Sequence, residues 1–266
     1  MNKAVICAIA KNEHLYINDW IKHHLSLGFN HIYIFDNDDV NSPFIIDFID
    51  AQLKDRVTIF NIRGVKMYDL QVKCYNCFYK EMCDDFDWCA FIDIDEYIIL
   101  KKWPNINEFL EEPRFKNFLT IRLKWHLYGD DDTVKRDVDI PTTQFFKNII
   151  NDNPISHQGK AILRGGLRGR VHILDHFTKI DGGVNFACLP SGAPCLSDYK
   201  ITEQYDDSAY VNHYMTKTLD EFLHQKFGRG DAIFDKKKID LNYFWRINTP
   251  TNEKIEYIKQ YFGDKK

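Results

Sequence analysis

The 266-residue chain has no apolar run near the roughly 18 residues that a membrane-spanning helix needs. It has no excess of positive charge either. Its 35 Lys and Arg stand against 39 Asp and Glu, a formal net charge of −4, whereas a sequence-independent nucleic-acid binder needs a basic footprint. There is no internal repeat and no clear linker. Neither Gly165-Gly166 nor Gly182-Gly183 opens a helix after a strand, so no phosphate loop or dinucleotide fingerprint is supported. No Gly-x-Ser-x-Gly element points to a serine hydrolase. The seven cysteines are odd in number and scattered, and no second Cys-x-x-Cys answers Cys74 and Cys77. A reduced, cytoplasmic compartment is therefore expected. Met1-Asn2-Lys3 followed by Ala4–Ala10 is too short for a signal peptide and reads as a strand.

Apolar residues make up 44% and charged residues 28%, enough to build a real core and too apolar for a disordered chain. The first hundred residues alternate between two periodicities. Apolar runs at 4–10, 31–35, 56–62 and 88–92 read as strands buried on both faces. Between them, Ile17, Trp20, Ile21, His24 and Leu27 recur at helical spacing, with Asn12 as the expected N-cap, Glu13 in the first turn and Gly28 as the stop. Tyr68, Val72, Tyr75, Tyr79 and Met82 mark a second helix over 66–84. This βαβ rhythm predicts an α/β fold with a mostly parallel sheet flanked by helices.

Beyond residue 115 the pattern loosens. Strands are expected at 118–127, 160–164, 170–177 and 209–214, loops over 129–160, an irregular excursion over 181–207, and helices at 217–226 and 251–262. One domain over 1–266 is expected, with a sheet-based nucleotide half at 1–115 and an irregular second half at 116–266.

Parallel sheets bind ligands beyond the carboxyl ends of their strands. Two acidic clusters fall there. Asp93 and Asp95 follow the fourth strand, and on an extended chain residues i and i+2 share a side. Paired carboxylates, with Glu96 behind them, would make a hard oxygen site for Mg2+ or Mn2+. The alternative is a chance Asp-x-Asp in an acidic chain. Asp36, Asn37 and Asp38 end the second strand and could hold a base or ribose, or merely form a turn.

Further along, His213 could complete the metal site and Lys217 could neutralise a phosphate, or the pair could be a strand-end histidine and an exposed lysine. His172 and His176 flank Asp175, a candidate general base or a surface aspartate. Trp125 could stack on a sugar ring or belong to the core. Gly228-Arg229-Gly230-Asp231 could meet a phosphate or form a turn. Lys236-Lys237-Lys238 reads as a solvated run, or as a rest on an anionic membrane.

The segments Val5-Ile6-Cys7-Ala8-Ile9-Ala10-Lys11-Asn12-Glu13, Trp20-Ile21-Lys22-His23-His24 and Gly28 through Asn37 together resemble the opening of the bacterial glycosyltransferase family 2-like and family 92 proteins. Phe91 through Ile98 resembles their Asp-x-Asp strand, and Trp125 with Gly129 their Trp-then-Gly segment. Val211 through Thr218, with Glu221-Phe222, Lys226 and Arg229-Gly230, resembles their C-terminal signature. The match departs at Asp130-Asp131-Asp132 and at the spacing of His172 and His176.

The resemblance implies a GT-A fold with 116–266 as its acceptor-side half, Mn2+ or Mg2+ as cofactor, and a UDP-sugar donor carrying galactose or glucose. It places Ala8, Ala10, Asn12 and Glu13 around the base, Asp36 on the uridine, and Asp93 and Asp95 on ribose and metal. His213 becomes the third metal ligand and Lys217 a phosphate contact. The implied reaction is an inverting displacement with Asp175 as general base and Asp130 and Glu203 behind it. The expected product is a surface polysaccharide or lipooligosaccharide. The acceptor would be a saccharide or lipid-linked saccharide, met at the inner membrane face by a peripheral contact. A sugar nucleotidyltransferase is the first alternative, although it would place a glycine-rich basic loop where residues 8–13 stand. A non-catalytic nucleotide-sugar-binding protein is the second.

Overall fold

The computed structural model describes residues 2–150, 153–181, 186–196, 199–229 and 238–263. Gly182-Gly183, Gly230-Asp231 and Lys236-Lys237 lie outside them.

Strand β1 (Ala4–Ala10) sits between two cores, which is why its sequence is continuously apolar. Ala4, Ile6, Ala8 and Ala10 face one core, and Val5 and Cys7 face the other. Helix α1 (Ile17–Ser26) covers the first core through Ile17, Trp20 and Ile21. It starts later than the periodicity suggests. Asn12 adopts a left-handed φ of 59° and its N–H donates to Asp38, while Tyr16 occupies the cap position without a side-chain cap. Gly28 does end the helix, with φ at 95°.

β2 (His31–Asp36) and β3 (Val57–Asn61) extend the sheet on one side of β1, with two short 3-10 turns between them. Helix α2 (Leu70–Met82) crosses back over the second core through Cys74, Tyr75, Phe78 and Tyr79. It delivers β4 (Trp88–Phe91) to the other side of β1. Strand order therefore reverses at β1, and ligand crevices of open α/β sheets form at such switch points.

The chain after β4 does not stay extended. Residues 93–96 form a turn in which the Glu96 N–H donates to the Asp93 carbonyl at 3.1 Å, and Glu96 starts β5 (Glu96–Leu100), a strand absent from the sequence reading. The indole of Trp20 donates to the Glu96 carbonyl at 2.7 Å and ties α1 to this turn. Helix α3 (Ile106–Leu110) leads to β6 (Thr120–Leu127) and short helix α4 (Thr142–Phe145), then to β7 (Gly159–Arg164).

The expected strand over 170–177 is instead a hairpin of β8 (Val171–Ile173) and β9 (Thr178–Ile180). The Leu174 N–H closes its turn onto the Phe177 carbonyl at 2.9 Å. β10 (Ala187–Cys188) pairs with β6, and β11 (Ala209–His213) lies between β6 and β5. Helices α5 (Leu219–Gln225), α6 (Leu241–Phe244) and α7 (Asn252–Gly263) finish the described chain.

The result is a mixed α/β fold with one large, mostly parallel sheet flanked by helices. The main order is β3-β2-β1-β4-β7-β6-β11-β5, with β10 beside β6. The sheet joins strands from both halves of the chain, because β7 runs antiparallel to β4 and β11 antiparallel to β5. No described helix is long and apolar enough to cross a membrane.

Candidate active site

A cleft of about 370 Å³ opens at the carboxyl ends of β1 and β4. Its wall carries six cationic side chains, Lys11, Lys66, Lys160, Lys226, Arg229 and Arg246, against four carboxylates, Glu13, Asp93, Asp95 and Asp175. This local cation excess sits in a chain with a formal net charge of −4. The cleft's lining combines the apolar side chains of Ile9, Ala10, Val65, Met67 and Leu70 and the amide of Asn37, whose side-chain oxygen is buried without a hydrogen-bond partner, with the charged and polar groups of Asp95, His213, Lys226 and Arg229.

The turn after β4 splits the two aspartates. Asp93 turns toward β7 and α2: Lys160 Nζ donates to its Oδ2 at 2.7 Å and Gln71 donates to its Oδ1 at 2.6 Å. Lys160 Nζ also lies 3.5 Å from Glu96 and donates to the Asp175 carbonyl at 3.0 Å. Burial works against the charge on Lys160, but Asp93 and Glu96 outweigh it and raise its pKa. Burial pushes Glu96 well above the usual carboxylate range, with Lys160 opposing.

Asp95 turns the other way and pairs with Lys226, the residue that ends α5. Burial opposes its ionisation, yet Lys226, His213 and Lys217 together hold it well below the ordinary value. Helix α5 is placed by a capping box: the Thr218 hydroxyl accepts from the Glu221 N–H, and the Glu221 carboxylate accepts from the Thr218 N–H. Glu221 Oε1 is in turn fixed by Arg136 at 3.0 Å and by the Tyr16 hydroxyl at 2.8 Å.

Lys217, just before the cap, is buried with a left-handed φ of 55°. Its ammonium lies 3.6 Å from Glu13 and 3.9 Å from the Tyr16 ring centroid, without a hydrogen-bond acceptor. Burial lowers its pKa, with Glu13 resisting. Arg229 lies 3.8 Å from the other oxygen of Glu13.

His213 Nε2 stands 3.7 Å from Asp95 Oδ1. That is too long for a hydrogen bond, but it suits two ligands of one cation at about 2.1 Å each. Burial lowers the His213 pKa and favours the neutral imidazole that a metal requires. Asp95 and His213 thus fit a divalent ion, with a substrate's oxygens and water left to complete its shell. Asp93 lies with Lys160 instead, and among the described residues no three His, Cys, Asp or Glu side chains converge as a metal group.

The remaining expected residues are spread between the cleft and the core. Glu13 and Ala10 line the cleft. Ala8 is wholly buried in the sheet core. Asn12 reaches the Gln225 carbonyl at 3.4 Å, across the mouth between β1 and α5. Asp36 is 1% exposed, and its oxygens accept from the Asp38 and Ile45 N–H groups, so it shapes the loop beside Asn37.

Asp175 and His176 line the cleft from the β8–β9 turn, whereas His172 is exposed on β8 and does not join them. Trp125 is 4% exposed and bears against His213 and His176, with ring centroids at 4.3 and 4.9 Å. Its rings fill the cleft floor, so a flat stacking platform is not what it offers. Asp130 is buried against Lys254 of α7 at 2.6 Å, and Glu203 accepts from the Leu196 N–H within its own loop; neither lines the cleft.

The sequence reading missed Lys160. A lysine inside the otherwise apolar run of β7, Gly-Lys-Ala-Ile-Leu-Arg, was the available signal, because a buried ammonium requires a carboxylate.

No protein-family model matches the sequence, and no curated protein matches it. Among solved structures, the apo form of the bifunctional glycosyltransferase WbbM is 12% identical with a TM-score of 0.32, over 61% of this chain and 31% of that one. HddC from Yersinia pseudotuberculosis is 14% identical with a TM-score of 0.35, over 71% of this chain and 90% of that one. The chain thus spans under a third of the length of WbbM. Likenesses this distant carry no argument about activity, which rests on the cleft itself.

Proposed function

We propose that this chain is a glycosyltransferase that moves a hexose, galactose or glucose, from a UDP-sugar to a saccharide or lipid-linked saccharide in surface polysaccharide or lipooligosaccharide synthesis. The observation that carries the reading is the mixed lining of a cleft at the strand switch point. Its apolar side chains and the unpaired amide oxygen of Asn37 suit a nucleobase, and its excess of cationic side chains suits a diphosphate. In this reading Asn37 and the walls around Ala10 take the base. Lys226 and Arg229 take the diphosphate, with Lys217 and Glu13 setting the charge behind them.

Asp95 and His213 would hold Mn2+ or Mg2+, which would neutralise charge on the departing diphosphate. Asp93, anchored by Lys160, would meet the ribose. An acceptor hydroxyl would attack the anomeric carbon as the bond to the diphosphate breaks, and the displaced proton would pass to Asp175. A lipid-linked acceptor would bring the protein to the inner membrane face by a peripheral contact.

The test is release of UDP from UDP-glucose and UDP-galactose in water with Mn2+. Slow hydrolysis by wild type, lost in Asp95→Asn, is expected. Failure to turn over either sugar, alone or with saccharide acceptors, would contradict the reading.

A further inference from the structure

Six phenylalanine and tyrosine side chains are exposed among the described residues, and Tyr199 is the one of them that lines the cleft. A single exposed ring needs no explanation by itself. Two features set this one apart: where it stands and how it is held. It is 45% exposed, whereas Trp125, the aromatic expected to meet a sugar, is 4% exposed. Gln158, Asp175 and His176 line the same cleft.

Tyr199 is fixed at its tip, around its ring and at its backbone. Gln158 Nε2 donates to its hydroxyl at 2.8 Å. The rings of His176 and Phe177 stand nearly perpendicular to it, at 77° and 83°, with centroids 5.4 and 6.4 Å away. The guanidinium of Arg122, itself buried, donates to its carbonyl at 3.4 Å. Neither neighbouring ring lies flat on it, so nearly half of the side chain stays uncovered in the cleft wall. An aromatic ring held in this way has little rotamer freedom left to lose when a ligand binds.

We propose that Tyr199 is the stacking platform for the acceptor sugar, a pyranose that lies with its C–H face on the ring. An aromatic face is electron-rich and takes the weakly positive C–H hydrogens of a sugar. Stacking covers the apolar face of the pyranose and leaves the hydroxyls at its rim for polar side chains of the same wall, Gln158 and Asp175 among them. A flexible polyol with the same hydroxyls has no such face and gains nothing from the ring. Asp175 directly precedes His176, which packs on Tyr199, so the platform stands beside the carboxylate that would take the acceptor's proton. The inference rests on the glycosyltransferase reading in calling the sugar an acceptor; the platform itself is defined by the ring.

The experiment uses the full chain and the methyl β-glycosides of glucose, galactose and N-acetylglucosamine, with sorbitol as the open-chain control, each with and without UDP. Two signals are read in titrations followed by proton magnetic resonance: saturation transfer from protein to sugar, and the shifts of the sugar's own C–H protons. At least one glycoside should receive saturation, and its H3 and H5 signals should move upfield, as protons above an aromatic face do. Sorbitol should show neither effect. Tyr199→Ala should weaken that glycoside by about tenfold, and Tyr199→Phe, which keeps the face and loses the hydroxyl, should bind within about threefold of wild type. The upfield shift is read on wild type, so the test survives poor folding of a variant. Glycosides that receive no saturation, or bind without an upfield shift, would overturn the platform. A Tyr199→Ala protein that folds and binds the sugar as well as wild type would overturn it too. UDP binding by wild type is measured separately. Sugar stacking in a protein blind to UDP would keep the platform and remove the transferase, and UDP binding with no response to any glycoside would do the reverse.

Discussion

The ion pairs around the cleft join carboxylates of one half of the chain to cations of the other. Glu13, Asp93, Asp95 and Glu96 come from the first half, whereas Lys160, Lys217, Lys226 and Arg229 come from the second. Neither set could be buried alone, since an unpaired internal charge is costly. The regular parallel half supplies the carboxylates at its strand ends, and the irregular half supplies the cations that make those carboxylates tolerable. The buried charges of the cleft therefore bear on stability in a way that surface ion pairs do not.

Breaking the contrast at its strongest point should have the largest effect. Lys226→Ala strands Asp95 in the interior, and urea unfolding should show a loss of about 3–5 kcal/mol. Lys22→Ala removes a 2.6 Å pair with Asp50 on half-exposed side chains and should cost about 1 kcal/mol or less. Equal losses in the two variants would refute the idea that the cleft pairs are special.

A smaller effect is expected inside the second half, where backbone packs on backbone. A Cβ at Gly159 would sit 2.0 Å from the Leu123 carbonyl oxygen, so Gly159→Ala must spread β6 from β7 just beside Lys160. About 1–3 kcal/mol of destabilisation should follow, and a wild-type melting temperature would contradict the packing described here.

The smallest effect is a pH dependence that belongs to the first half alone. His24 is fully buried. Its Nδ1 bonds the Trp20 carbonyl at 2.9 Å and its Nε2 accepts from the Ile98 N–H, which requires a neutral ring. Burial and the neighbouring His23 hold its pKa well below the ordinary value. The unfolded chain thus binds a proton that the folded chain refuses. Stability is intact above the unfolded pKa of about 6.5 and falls below it by up to about 1.4 kcal/mol per pH unit. Urea titrations at neutral and mildly acidic pH should show this slope, and His24→Gln should flatten it. An unchanged slope in that variant would assign the effect elsewhere.

The same contrast governs what could be read from sequence. Strand β1 was legible to the residue, because a strand buried on both faces has no polar interruptions. The helical stripe of α2 was equally plain, although its first turn begins at Leu70 and not at 66. The place of Asp93 and Asp95 at the end of β4 was legible, but their geometry was not. The apolar run concealed a turn, and the turn sends one carboxylate to Lys160 and the other to Lys226. The β8–β9 hairpin was invisible because its turn, Leu174 through Phe177, contains neither glycine nor proline. Lys160 and Lys226 acquire meaning only through partners 67 and 131 residues away, a separation that no local pattern encodes.

The central claim is that the cleft takes a nucleoside diphosphate through Asp95, His213 and the cations around them. Calorimetric binding of UDP, with and without Mn2+, on wild type and Asp95→Asn tests it most directly. The account predicts binding to wild type that strengthens with Mn2+ and a metal response that disappears in Asp95→Asn. UDP binding that ignores both the metal and the substitution would contradict the account, as would no binding to wild type under any condition.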